Sequence, residues 1–270
     1  MKFSLGFLLL PIVAGALEVE PWLGEIYQFQ FQGTYSYSHY PNVKNASVPL
    51  KSPSNDQLIA ASLEWPFNEN WDGEAEVEFV HTPRQPWGYR SAALQIRYLW
   101  LNDVECDPIS LITGLNVRNV ASISLRDVSS PYHANMNFEL NAALGKEWSQ
   151  CCYDWLFRLY GFFGAGMGNR GSPWLRGQLS FQGNYQNRHQ GQLFALGYFG
   201  LGNKTQVNTE HFWGWAKFRH QSIDLGASYR YLFDYWGSFD LDLSYRVYAH
   251  SFPKQLVAIY LTYTLPFSCF

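Results

Sequence analysis

Few side chains in this sequence are placed to do chemistry, and most of them recur at a spacing of two. His220-Gln221-Ser222 sets an imidazole and a hydroxyl on one side of an extended chain. The ring could take the hydroxyl proton as the serine attacks an ester. Glu74-x-Glu76-x-Glu78 offers carboxylates to a hard divalent cation. Asp240 and Asp242 could act as a general-acid pair. The stretch GMGNRG at 166–171 fits the glycine pattern of a dinucleotide loop, and Cys106, Cys151, Cys152 and Cys269 supply thiols.

Each has a plainer account. A dinucleotide loop must open a helix whose N-terminus holds the pyrophosphate, but SPWLRGQLSFQG follows here, which alternates like a strand. The Asp240/Asp242 spacing arises from strand alternation alone. The Glu74, Glu76 and Glu78 run lacks the loop cage that a calcium site requires, so a solvated strand face explains it better. The histidines form no His-x-x-x-His pair and the cysteines no Cys-x-x-Cys pair. No metal and no cofactor are expected.

The elements that carry these residues alternate almost without break. In SFDLDLSYRVY, Phe239, Leu241, Leu243, Tyr245 and Val247 form an oily file, and Ser238, Asp240, Asp242, Ser244 and Arg246 a polar one. The same pattern runs through 27–37, 74–79, 94–100, 135–142, 175–185 and 223–231, and less cleanly through 57–65, 153–165, 191–201, 210–219 and 256–265. Residues 110–126 keep one phase and read as a single long strand. Many runs last longer than the usual five or six residues of a strand and reach the roughly nine to eleven that a tilted transmembrane strand needs. Turn chemistry separates them (NENWDG, TPRQPWG, DVSSP, NRHQG), and no helical stretch or second domain is evident in residues 17–270.

Composition fits a surface that meets lipid. Aromatic residues make up 18% of the 270 and charged residues only 15%, against about 25% in ordinary domains. The polar files hold Gln, Asn and Ser with scattered Arg and Asp but little Lys, as in an enclosed wet interior rather than an open surface. Tryptophans near strand ends (Trp65, Trp71, Trp87, Trp100, Trp148, Trp155, Trp174, Trp213, Trp215 and Trp236) fit two interfacial girdles. A net charge of −3 gives no basic face for nucleic acid. Residues 1–16 have the layout of a secretory signal peptide, with Lys2, an apolar run and Ala14-Gly15-Ala16 before the cleavage point.

In hydrocarbon every peptide group needs an internal partner, so spanning strands must close on themselves. The chain resembles bacterial outer-membrane β-barrel (porin-like) proteins over the whole of 17–270, on its signal peptide, its alternating strands and the aromatic end VAIYLTYTLPFSCF. It departs from them where Pro266 interrupts the final strand and Phe270 falls out of phase. The resemblance implies an all-β, closed antiparallel transmembrane barrel in the outer membrane, assembled by machinery that reads the C-terminal strand. Thirteen segments are readable but such barrels have even strand numbers. Twelve is preferred, by dropping 57–65 or 74–81; fourteen would follow from splitting 110–126.

With the oily file outward, Arg97, Arg118, Arg158, Arg176, Arg230 and Arg246 face the lumen together with Glu139, Asp224, Asp240, Asp242 and the Glu74–Glu78 run. The leading functional expectation is a channel for small polar solutes with that charged lining. The alternatives are an occluded structural or adhesive barrel, and a lipid hydrolase. His220 and Ser222 locally resemble outer-membrane phospholipase A, but Ile223-Asp224-Leu225 stands where that family has Asn-Gly-Arg. If 110–126 is one strand, the connections 102–109 and 145–152 share an end, and Cys106 could bridge Cys151 or Cys152; free thiols or cysteine-linked envelope partners are the other possibility. The long polar connection 38–56 belongs on the outer side, with no task assigned.

Overall fold

The structure, a computed structural model, describes residue 17 and residues 19–150, 154–233 and 236–268. The segment 1–16 and Cys151, Cys152, Cys269 and Phe270 lie outside the described residues. Twelve antiparallel strands close into a barrel. They are β1 (Gln28–Tyr40), β2 (Ser54–Pro66), β3 (Trp71–Thr82), β4 (Gln85–Leu101), β5 (Ser110–Val120) and β6 (Met136–Gln150), followed by β7 (Asp154–Gly168), β8 (Trp174–Tyr185), β9 (His189–Gly200), β10 (Gln221–Leu232), β11 (Ser238–His250) and β12 (Val257–Ser268). Each strand pairs with its sequence neighbours, and β1 closes the ring on β12 from Gln28↔Ser268 to His39↔Val257.

The oily files point outward. On β11, Leu243, Tyr245 and Val247 are exposed while Ser238, Asp240, Ser244 and Arg246 are buried. Trp71, Trp100, Trp148 and Trp236 lie exposed near one rim and Trp87 and Trp213 near the other, as interfacial aromatics do. Trp174 and Trp215 leave the expected girdles: both are buried inside, under the loops.

Three other expectations need correction. The surplus segment is 210–219, which belongs to a loop; both 57–65 and 74–81 are barrel strands. The strand expected over 110–126 ends at Val120, where Ala121 bonds back to Arg90 and the chain turns into a 3-10 turn at Ser124–Arg126. Hydrophobic alternation continues past Val120 through Ala121, Ile123 and Leu125, but Leu125 is buried beneath the loops while Ile123 is exposed, so the file no longer marks one sheet face. Pro266 does not interrupt β12, which runs to Ser268: beyond Thr264 that strand has only β1 as a neighbour, so fewer ladder bonds are demanded of it.

Connections differ sharply at the two ends. One end carries the short turns 67–70, 102–109 and 186–188 and the N-terminal segment; the other carries the long loops 41–53, 121–135 and 201–220. A short-turn periplasmic end and a long-loop outer end are the usual arrangement of outer-membrane barrels. Placing a guanidinium on the lipid face tests the orientation. Leu179→Arg, at the middle of β8 and 59% exposed, is expected to destabilise the folded barrel by about 2–4 kcal/mol. Urea-induced loss of heat-modifiable gel migration in vesicles measures it.

Candidate functional site

The lumen is the candidate site, and its wall is built from paired charges. Arg97 lies 1% exposed between Asp72, which it grips with Nε at 3.0 Å and with Nη2, and Glu64 at 3.1 Å. Arg118 holds Glu76 at 2.6 Å and Glu78 at 3.4 Å, and Arg90 meets Glu78 at 3.5 Å. Arg176 binds Glu139 in a fork at 2.7 and 2.8 Å. Arg246 does the same to Asp224 at 2.6 and 2.8 Å. Arg158 meets Glu147 at 2.7 Å, and Arg230 pairs with Asp240. Asp242, across from Ser228 on β10, shares the inward file without an ion pair among the described residues. Glu74 sits on the same wall beside Gln95.

Sequence reasoning missed several partners. Asp72 was assigned to a turn, yet β3 already begins at Trp71. Arg90 lies in a bulge: Glu78 pairs with Ser91 and Phe79 with Tyr89, so two adjacent residues, Arg90 and Ser91, both point inward. A period of two cannot register that.

Two structures pack into the ends of the lumen. From the periplasmic end, the segment 19–24 enters with Leu17 ahead of it. Trp22 donates to Asp103 at 2.9 Å, stands edge-on to Tyr160, and carries the Arg158 guanidinium 4.5 Å from its ring centre. Val19 and Leu23 pack on Leu99, Ile112, Ala143 and Phe162. Arg97 reaches the Glu20 carbonyl at 3.3 Å, and Gln182 bonds the Glu20 carboxylate. Gly145 makes the seat: a Cβ there would lie 2.6 Å from Pro21 and 2.9 Å from Trp22. Asp103, in the turn after β4, is held below the usual carboxylate range; burial opposes this, but bonds from Ser110, the Glu147 amide and Trp22 outweigh it, with Lys146 adding its charge. The plug is thus tied to an anion at the mouth.

At the outer end the long loops form a lid. Tyr40, Val43, Val128, Val207, Phe212, Trp215 and Phe252 make one buried apolar cluster. Short pairings stitch 207–208 to 46–48 and 253–254 to 42–43. Arg84 binds Asp127 at 2.7 Å and also donates to Tyr40, Ser54 and Ser129. Tyr132 donates to Glu78 at 2.6 Å and lies 5.1 Å from both Arg90 and Arg118.

His220 belongs to this lid rather than to a dyad with Ser222. Its Nε2 lies 3.1 Å from Nε2 of His133, whose Nδ1 lies 3.0 Å from the Tyr198 hydroxyl. That hydroxyl donates to the Pro131 carbonyl at 3.0 Å. Its oxygen therefore accepts from His133 Nδ1–H, and His220 Nε2–H donates to His133. His220 Nδ1 has no hydrogen-bond partner, so no bond to Ser222 exists. The pair is stacked between Trp174 and Phe252. Cys106 is exposed at the periplasmic turn, while Cys151 and Cys152 lie outside the described residues.

Between plug and lid lies a cavity of about 370 Å³, touched by Leu17 from below and by Val128 to His133 and Phe252 from above.

Comparison with known proteins follows the fold alone. The barrel matches an outer-membrane channel from Pseudomonas putida F1 with a TM-score of 0.67 at 12% identity, over 94% of this chain and 100% of that one. It matches NanC porin at 0.54 with 6% identity, over 86% and 98% of the two chains. The translocator domain of the autotransporter NalP from Neisseria meningitidis scores 0.50 at 11% identity, over 91% and 90%. No family model matches the chain, and no curated protein is similar to it in sequence. The closed ladder, the outward apolar belt and these likenesses together give the chain the fold of the bacterial outer-membrane β-barrels.

Two outcomes follow. Arg97→Gln removes the guanidinium that the buried Asp72 and Glu64 share and is expected to cost about 3–5 kcal/mol, read as a lower urea midpoint. Acid should loosen the lid. Burial, reinforced by the neighbouring His220, holds the His133 pKa well below its usual value; burial, reinforced by the Arg246 charge, pushes that of His220 down to about 3. The opened lid, with histidines near 6.5, binds more protons than the closed one as pH falls below 6.5. Closure therefore weakens from about pH 6.5 down toward 3. Hydrogen exchange of the 121–135 and 201–220 amides is expected to accelerate between pH 7.5 and 5, after correction for intrinsic rates, and much less so in His220→Phe.

Proposed function

We propose that the protein is an outer-membrane channel for small polar solutes, closed at rest by its own N-terminal segment. The observation that carries this reading is a lumen lined by charge, blocked by a short, separable strap rather than by fused side chains. A twelve-stranded ring is wider than the eight-stranded barrels whose side chains fill them and narrower than sixteen-stranded open pores, so a small insert suffices to shut it. The likeness to a channel from Pseudomonas putida F1 and to NanC porin supports a path through the barrel, although an autotransporter domain shares the ring as well. Around the cavity five carboxylates (Asp56, Glu78, Asp127, Glu139 and Asp224) face four guanidinium groups (Arg90, Arg118, Arg176 and Arg246), a small excess of negative charge that favours cations in transit.

Planar-bilayer recording tests the reading. Deletion of residues 17–24, or Gly145→Leu to unseat Pro21 and Trp22, is expected to raise single-channel conductance or open time over the parent protein several-fold. The reversal potential in a KCl gradient should show cation preference. Folding of each variant is checked by heat-modifiable migration; folded variants that pass no current would end the channel reading.

A further inference from the structure

Five carboxylates touch the cavity between plug and lid: Asp56, Glu78, Asp127, Glu139 and Asp224. Four have a guanidinium within 4 Å: Arg118 and Arg90 at Glu78, Arg84 at Asp127, Arg176 at Glu139, and Arg246 at Asp224. Asp56 does not. It is 7% exposed, and its partners are hydroxyls: Ser54 donates to it at 2.5 Å, and Ser129 bonds it as well. Arg84, the nearest guanidinium in this network, bonds the same Ser54 oxygen at 2.7 Å but is spent on Asp127 and three hydroxyls.

A buried carboxylate without a cation is costly to ionise, so it either keeps its proton or is served by a positive charge from a guest. The wall around Asp56 is shaped for a small guest. Ser38 pairs with Asp56 in register and Ser36 with Leu58; Tyr260 lies across from Ser36, and Val80 across from Leu58. All of these touch the cavity. Short serines leave room in front of the carboxylate, and Leu58 and Val80 offer an apolar flank. A primary ammonium has three donors and no acceptor, which suits one carboxylate accompanied by serine and tyrosine hydroxyls.

We infer that the chamber between plug and lid is a binding site for a primary ammonium group on a compact apolar body, with Asp56 as its counter-ion. This rests on the channel reading and deepens it by naming the charge and shape of the guest. The same chemistry has two sources. It can arrive on a solute amine, or as the α-amino group that cleavage after Ala16 would create on Leu17, which touches the same cavity and is 2% exposed.

Calorimetric titration of cyclohexylammonium chloride into the exported protein, its N-terminus confirmed at Leu17, folded and held in amphipol, tests it. The parent protein is expected to bind one equivalent saturably, with affinity at least tenfold lower in Asp56→Asn and in Leu58→Phe, which fills the flank. Cyclohexanol and cyclohexanecarboxylate should not bind. If the α-amino group of Leu17 occupies the site, the parent binds weakly or not at all, and deletion of 17–24 uncovers binding that Asp56→Asn abolishes. Absence of binding in both folded forms, equal binding of cyclohexanol, or affinity unchanged by Asp56→Asn would each overturn the inference. None of these outcomes touches the bilayer conductance, so the ammonium site and the channel stand or fall separately.

Discussion

Hydrocarbon offers a peptide group nothing to bond with, and an unpaired N–H or C=O costs several kcal/mol there. The barrel answers this by joining its first strand to its last, Gln28–Tyr40 to Val257–Ser268, so that no spanning strand has a free edge. Everything else in the molecule depends on that closure. Because the backbone is satisfied in the plane of the sheet, side chains are free to divide by face, and lipid claims one face entirely. The other face then holds nearly all the charge that the strands carry; Lys146, on the outward file near the rim, reaches Asp103 at 3.5 Å.

An enclosed space only a few side chains across makes those charges interact strongly. The structure resolves this by pairing across neighbouring strands. Arg230 stands opposite Asp240, and Asp224 opposite Arg246, in the same register that forms the ladder. Direct opposition is where a sheet brings side chains closest. Arg97 is the extreme case, buried against two carboxylates, where removal of one member would strand the others. The lining is therefore as much a structural element as a selectivity surface, and most of its charge is committed before any solute arrives.

The barrel itself was legible in the sequence because lipid enforces a period of two over ten or more residues, and no tertiary contact overrides it. The direction of each file followed from the same rule: Leu243 and Val247 outward, Asp240 and Arg246 inward. Legibility failed wherever another force produced similar patterns. Beyond Val120, Leu125 continues the oily file but is buried under the loops, while Ile123 is exposed. Phe212 and Phe218 in the loop 201–220 share a phase of two, yet both pack in the lid cluster. The bulge at Arg90 broke the period without breaking the sheet. The plug was invisible: Leu17 to Gly24 has no periodicity, and its role comes from contacts with residues more than 75 positions away, such as Asp103 and Arg97. The His133–His220 pair was equally hidden, since 87 positions separate its members and only folding brings them to 3.1 Å.

Plug and lid differ in how they are held. The lid is a packed apolar cluster around a Trp215 that is fully buried, with Arg84 fixed by an acid and three hydroxyls. Disassembling it exposes several large side chains at about 1.5–3 kcal/mol each. The plug is held by one indole hydrogen bond, a cation–π contact, two bonds to Glu20 and the partial burial of Val19 and Leu23. Such bonds contribute about 1 kcal/mol each in net terms, and releasing the strap regains backbone entropy of about 1–2 kcal/mol per residue. On the proposed channel reading, the strap, held by a few single bonds rather than by a packed apolar cluster, is the part suited to open.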